Sequence, residues 1–252
     1  MYSLGILGGM GAKATVQLFD IIVENTMASV NQEHLNIAIL NKASIPDRTA
    51  NLLQNRREYL LPFFLEEIKE FERLSVKNIV IPCNTSHLLF NELQSRTDVN
   101  IINMVKGTLD YLYLSQLPKH AYILGTLGTT NLRLFDRFND YGIKIDYPSK
   151  AICENVQRII YQIKDTAGHD MAKLVDEVAC VMECLQNESS DELVFILGCT
   201  ELSLLNKTKF QKFNFIDPLE ILGLVAILKS GGKIQENKLA YDYNVIKAIA
   251  ER

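Results

Sequence analysis

The chain contains no apolar run long enough to cross a bilayer, no basic stripe, no even set of cysteines and no stretch resembling a disordered linker. A transmembrane helix needs roughly 18 consecutive apolar residues, and the best run here, Leu193 to Leu197, is far shorter. Residues 1–9 are apolar, but no basic segment precedes them and no small-residue cleavage site follows, so no secretory leader is expected. Lys and Arg are scattered, Arg56-Arg57 being the longest run, and the formal net charge is -4. Both features argue against a nucleic-acid partner. The five cysteines (Cys83, Cys153, Cys180, Cys184, Cys199) are an odd number, read here as reduced thiols of a cytoplasmic protein. Cys180 and Cys184 stand at i, i+4 without a second ligand pair, so no metal site is expected. With Cys153 they fall inside predicted helices and are expected to pack in the core.

What is present is an alternation. Short β-branched and aliphatic runs occur at Ser3–Leu7, Leu35–Leu40, Asn78–Ile81, Ala121–Leu124, Ile143–Tyr147, Leu193–Leu197 and Asn214–Ile216. Between them lie stretches of helical period: Thr15–Ala28, Tyr59–Leu74, Asn131–Tyr141, Lys150–Lys164 and Met171–Gln186. In the fourth, Ile152, Val156, Ile159, Ile160 and Ile163 recur at spacings of three and four, the mark of a buried helical face. Strands alternating with helices predict an α/β fold of βαβ units with mostly parallel sheets.

The sequence also echoes itself. Gly5-Ile6-Leu7-Gly8-Gly9-Met10-Gly11 reads like Tyr122-Ile123-Leu124-Gly125-Thr126-Leu127-Gly128, and Ile81-Pro82-Cys83-Asn84-Thr85 like Leu197-Gly198-Cys199-Thr200. Gly8 and Gly125 are 117 residues apart, Cys83 and Cys199 116. Two pairs in the same order at nearly one offset predict two pseudo-symmetric lobes, and the period is too long for a solenoid. The expected division is residues 1–98 with 218–252 in one lobe and 99–217 in the other. A last helix at Glu220–Leu228 is expected to cross back onto the first lobe, and only Gly231–Asn237 looks loose.

Each echoed cysteine follows an apolar strand and precedes a predicted helix. That carboxyl-end position borders the ligand crevice of a parallel sheet, and a helix N-terminus there would favour thiolate. Facing lobes would bring Cys83 and Cys199 to one ligand from opposite sides. Inverting a stereocentre needs a proton taken from one face and one returned to the other, which a thiolate and a thiol can do by exchanging roles. A single cysteine after a buried strand is usually a small core residue; two at equivalent places are harder to read that way.

These residues resemble the aspartate/glutamate racemase superfamily, and within it the aspartate racemase branch. The likeness runs through Gly8-Gly9-Met10-Gly11, Ile45-Pro46-Asp47-Arg48-Thr49, Pro82-Cys83-Asn84-Thr85-Ser86-His87 and Gly198-Cys199-Thr200-Glu201. The resemblance implies an active site between two lobes, no pyridoxal phosphate or other cofactor, a homodimer, and an amino-acid substrate, aspartate before glutamate. It implies proton transfer by Cys83 and Cys199, an α-carboxylate held by Asn84, Thr85 and Thr200 with Thr126 assisting, and Met10 lining the pocket. It assigns Arg48 and Lys164 to the substrate's side-chain carboxylate.

By their own chemistry, Arg48 is a loop arginine suited to bidentate binding of a carboxylate or simply to solvent. Lys164 borders an apolar face and points either to the crevice or, snorkelling, to water. His87 either tunes Cys83 or packs as a hydrogen-bonded histidine. Glu201 either orients the site or serves as a first-turn acid. His34, His120 and His169 have no visible partner. Many members of the family carry proline where this chain has Ala12 before Lys13, and Lys13 either faces solvent or brings a positive charge near the crevice.

Other classes remain. Gly9-Met10-Gly11-Ala12-Lys13-Ala14 fits a dinucleotide-binding pattern, but the second strand ends at Leu40-Asn41 without the acidic residue a ribose requires. Isomerase, decarboxylase or hydrolase chemistry on a related small acid would use the same fold. A sensor of amino acids would need no thiols.

Overall fold

A computed structural model describes residues 2–165 and 168–252. Its elements in chain order are β1 (Leu4–Gly8), α1 (Ala12–Asn25), β2 (Ile37–Asn41), α2 (Arg48–Leu53), α3 (Arg57–Arg73), β3 (Asn78–Val80), α4 (Phe90–Gln94), β4 (Asn100–Ile102) and α5 (Met104–Leu114). Then follow β5 (His120–Gly125), α6 (Leu127–Asn131), β6 (Lys144–Asp146), α7 (Lys150–Lys164), α8 (Met171–Glu188), β7 (Val194–Gly198), β8 (Asn214–Ile216), α9 (Pro218–Lys229) and α10 (Tyr243–Glu251). Short 3-10 turns connect several of them. No helix among the described residues is long and apolar enough to cross a membrane.

The strands form two four-stranded sheets, ordered β2-β1-β3-β4 and β6-β5-β7-β8. All pairings are parallel. The two orders are one order repeated, with β1 equivalent to β5 and β3 to β7, so the echo in the sequence is an echo in topology. β1 and β7 are buried along their whole length, because helices cover both faces of such a sheet and a polar face would be desolvated. In each sheet the chain leaves the two central strands in opposite directions, which opens a crevice at their carboxyl ends. The glycine-rich turns follow β1 and β5; the cysteines follow β3 and β7.

β4 follows residue 98, where the expected division fell, yet it pairs with β3 in the first sheet. The switch of sheets therefore comes after Ile102. Two equivalent helices then cross. Asn103 caps α5 through Lys106 N–H at 3.0 Å, and Asp217 caps α9 through Leu219 N–H at 2.9 Å. α5 packs on α9 and on the 3-10 turn Phe135–Phe138, whereas α9 returns to α1 as expected. At that contact a methyl on Gly223 would meet Ile21 Cγ2 at 2.6 Å. α9 is buried on nearly every side because α1, α5 and α10 all pack against it.

The expected helix at Asn131–Tyr141 is not one helix. The chain forms α6, then the separate turn Phe135–Phe138. Arg133 between them has φ 48°, a left-handed conformation that interrupts any helix. The segment after Gly231 is also better tied than it looks in sequence. Ile234 is buried and bridges Thr26, while Met27 N–H donates to the Lys233 carbonyl at 2.7 Å.

Candidate active site

One cleft at the facing carboxyl ends of the two sheets is lined by every residue singled out above for catalysis or substrate binding. Met10, Arg48, Cys83, Asn84, Thr85, Thr126, Lys164, Cys199 and Thr200 all border it, joined by Asp47, Thr49 and Glu201. The space between them is narrow. Met10, Arg48, Cys83 and Asn84–Thr85 come from loops after β1, β2 and β3; Thr126, Lys164 and Cys199–Glu201 come from the second sheet's side.

The loops are tightly placed. Gly9 has φ +95°, and a Cβ there would lie 2.4 Å from the Lys42 carbonyl carbon, so only glycine fits this turn. Thr15 fastens it: its hydroxyl accepts from Gly9 N–H and donates to the Gly11 carbonyl, both at 3.2 Å. The two lobes are stitched beside the cleft. Thr85 Oγ1 lies 3.0 Å from Thr126 Oγ1 and 3.1 Å from Thr129 Oγ1, and Thr200 Oγ1 donates to the Pro82 carbonyl at 3.2 Å. The threonine hydroxyls thus line the cleft and join the lobes at once.

Arg48 is buried, its guanidinium occupied largely by backbone. Nη1 donates to the carbonyls of Ile45 (3.1 Å) and Pro46 (3.0 Å), and Nη2 to that of Met10 (2.6 Å). It is not a solvated loop arginine: it holds the β2 loop against the first glycine turn. Its Nε is buried without a partner. Asn84 Nδ2 and Asn84 Oδ1 share that condition, and Glu201 Oε1 makes no hydrogen bond, only an ion pair with Lys164 Nζ at 3.7 Å. Unpaired buried polar atoms cost about 1–3 kcal/mol each. Donors and acceptors left open on one cleft suit a ligand that offers both acceptors and donors.

Cys199 Sγ donates to Glu201 Oε2 at 2.9 Å. Burial, then the Glu201 charge, raise this thiol well above its ordinary value, and Lys164 only partly opposes them. The expectation that a helix N-terminus would favour thiolate fails here. Only the short 3-10 turn Leu202–Leu204 follows Cys199, too short to gather a macrodipole, while the carboxylate sits in direct contact. Lys164 ends α7, half-buried, with Nζ 3.7 Å from Glu201 Oε1. Burial lowers its pKa, but the charges of Cys199, Glu201 and Cys83 outweigh that and raise it. Lys164 therefore remains an ammonium ion. Glu201 is the residue whose part was illegible in sequence; its place two residues after Cys199 was the available signal.

His87 is a packed histidine. Nε2 accepts from Met104 N–H at 3.1 Å, which leaves Nδ1 to donate to the Cys83 carbonyl at 3.0 Å. The ring ties the cysteine's backbone to the start of α5, and burial pushes its pKa down to about 4. Away from the cleft, Cys153 is buried, but Cys180 and Cys184 are exposed on α8, contrary to expectation: Val178, Val181, Met182 and Leu185 occupy the face turned inward. His120 also has partners, with Asp146 at 2.7 Å and Asp191 at 3.0 Å, and His169 lies 3.2 Å from Asp165.

Known proteins share this fold. The structure of Picrophilus torridus aspartate racemase superposes with a TM-score of 0.81 at 25% identity, over 96% of this chain and 98% of that one. An aspartate racemase homologue from Pyrococcus horikoshii OT3 gives 0.71 at 22% identity, over 91% and 99%, a likeness of fold. The broad-specificity amino-acid racemase RacX of Bacillus subtilis (strain 168) is 23% identical over 143 residues, 53% of this chain. The matched stretch spans 59% of that curated relative's length. The family model for Asp/Glu/hydantoin racemases matches residues 7–223, and the chain belongs to that family.

Proposed function

We propose that the protein racemises a small acidic amino acid, aspartate first and glutamate second, without pyridoxal phosphate, using Cys83 and Cys199 as its two bases. The observation that carries this reading is the meeting of two thiols, one from each lobe's equivalent strand end, on one cleft with four buried polar atoms that lack a hydrogen bond.

The α-carbon would sit between the sulfurs. In one direction the Cys83 thiolate takes the α-proton, and the electron pair of the broken C–H bond is left on the α-carbon. The Cys199 thiol then delivers its proton to the opposite face, and becomes the thiolate. Contact with Glu201 and burial keep Cys199 protonated at neutral pH, which suits it to act first as the acid. The reverse direction exchanges the roles. Asn84 Nδ2 and the hydroxyls of Thr85, Thr126 and Thr200 would hold the α-carboxylate and stabilise charge delocalised onto it. Asn84 Oδ1 and Glu201 Oε1 would accept from the ammonium group. Arg48 Nε and Lys164 Nζ would meet the side-chain carboxylate.

Purified protein incubated with L-aspartate in D2O should lose circular dichroism while deuterium enters the α-position. Retention of both optical activity and the α-proton, for aspartate and glutamate alike, would overturn the proposal.

A further inference from the structure

The cleft is not closed. Beyond Arg48, Lys164 and Glu201, which border both spaces, it continues into a vestibule of about 320 Å³ whose lining also includes Lys13, Ile163 and Leu204. Arg48 and Glu201 are both more than nine-tenths buried; Arg48 Nε has no hydrogen-bond partner, and Glu201 Oε1 is met only by Lys164 Nζ at 3.7 Å. Past Lys13 the surface becomes an apolar groove that includes Val16 and Met171, with Asp20 at its edge.

Lys13 is out of place by the rules of its helix. It is the second residue of α1, where the macrodipole disfavours a cation, and no acid in that first turn offsets it. Among the described residues it forms no hydrogen bond or ion pair. The other acid on the vestibule, Asp47, is engaged in capping α2 through Ala50 N–H at 2.7 Å and in accepting from Tyr161 at 3.3 Å. Lys13 is exposed to solvent, and positions that break a local preference are expected at functional or strained sites.

We infer that the vestibule is an extension of the side-chain subsite, and that Lys13 is its specificity residue for acidic side chains longer than aspartate's. Ile163 and Leu204 offer apolar surface to the extra methylenes, and the Lys13 ammonium meets the distal carboxylate. This rests on the reading above, in which the α-carbon lies between the cysteines and Lys164 faces the side chain.

Calorimetric titration with the unreactive diacids succinate, glutarate and adipate tests it on the intact protein. In Lys13→Met the adipate-to-succinate affinity ratio should fall about fivefold, as for one partly shielded ion pair, and Lys13→Arg should restore it. An unmoved ratio in Lys13→Met would overturn the role of Lys13. Failure of the unsubstituted protein to bind any of the three would overturn both the inference and the dicarboxylate site beneath it. Racemisation of L-aspartate by the same preparation separates the cases: diacid binding with the expected ratio but no racemisation leaves Lys13 its role and removes the proposed reaction.

Discussion

Cys83 and Cys199 occupy equivalent strand ends but do not have equivalent neighbours. Cys199 Sγ donates a hydrogen bond to Glu201 Oε2, whereas the Cys83 backbone is held by His87. Replacing Glu201 by Gln keeps the shape and removes the charge that raises the Cys199 thiol. Thiolate absorbance in the ultraviolet should then develop at lower pH than in the parent, with aspartate racemisation reduced at least about tenfold, as for one lost hydrogen bond to a charged group (about 1.5–3 kcal/mol). An unshifted or upward-shifted titration would contradict the role given to Glu201. His87 supplies a pH dependence of stability. Its folded-state pKa of about 4 lies below the ordinary 6.5, so the unfolded chain binds the proton more readily. Its contribution is complete above about pH 6.5 and is lost as pH falls toward 4, on the order of 3 kcal/mol in all. Urea midpoints measured across that window should drop with acid more steeply than in His87→Gln.

Elements with a strong pattern were legible in the sequence. α7 appears over the residues its apolar spacing marks, because Val156, Ile159, Ile160 and Ile163 are all buried against the second sheet's side. β4 was hidden, since three residues carry no period and Asn100 is exposed. α5 was hidden by Gly107 and by burial around most of its surface, which erases amphipathic contrast. α8 misled on its cysteines: both sit on the face away from the core. Of the five thiols, Cys180 and Cys184 alone are exposed, so a thiol reagent should label two groups quickly under native conditions and the remaining three slowly. Fast labelling of more than two would mean that the cleft is more open than described. The glycine turn after β1 has a sharper prediction. Gly9→Ala must hold φ near +95° and displace the Lys42 backbone, a strain of order 1–3 kcal/mol from conformation alone. A thermal midpoint equal to the parent's would show that the turn can relax.

At the scale of the molecule, the crossing of α9 from the second sheet to α1 holds the lobes in register. A buried charge cluster guards its start: Lys207 Nζ lies 2.5 Å from both Asp217 Oδ2 and Glu220 Oε1, and Ser203 Oγ donates to Asp217 Oδ1 at 2.7 Å. Asp217 is fully buried. Lys207→Met would leave it uncompensated and should cost about 3–5 kcal/mol, read as a lower urea midpoint; a cost below 1 kcal/mol would mean the cluster relaxes into solvent. The duplication itself was legible because the glycine turns and cysteines repeat at nearly one offset. The stitching of the lobes by Thr85, Thr126, Thr129 and Thr200 was not, since hydroxyl contacts across a cleft leave no periodic trace.

The central claim is that two thiols act on opposite faces of one α-carbon. It is tested most directly by following α-proton exchange in D2O for each enantiomer of aspartate with Cys83→Ala and Cys199→Ala. Each variant should fail to racemise while remaining folded, and each should exchange the proton of a different enantiomer, the one presented to its remaining sulfur. Racemisation at parental rate by either variant, or exchange of the same enantiomer by both, would contradict the two-base account.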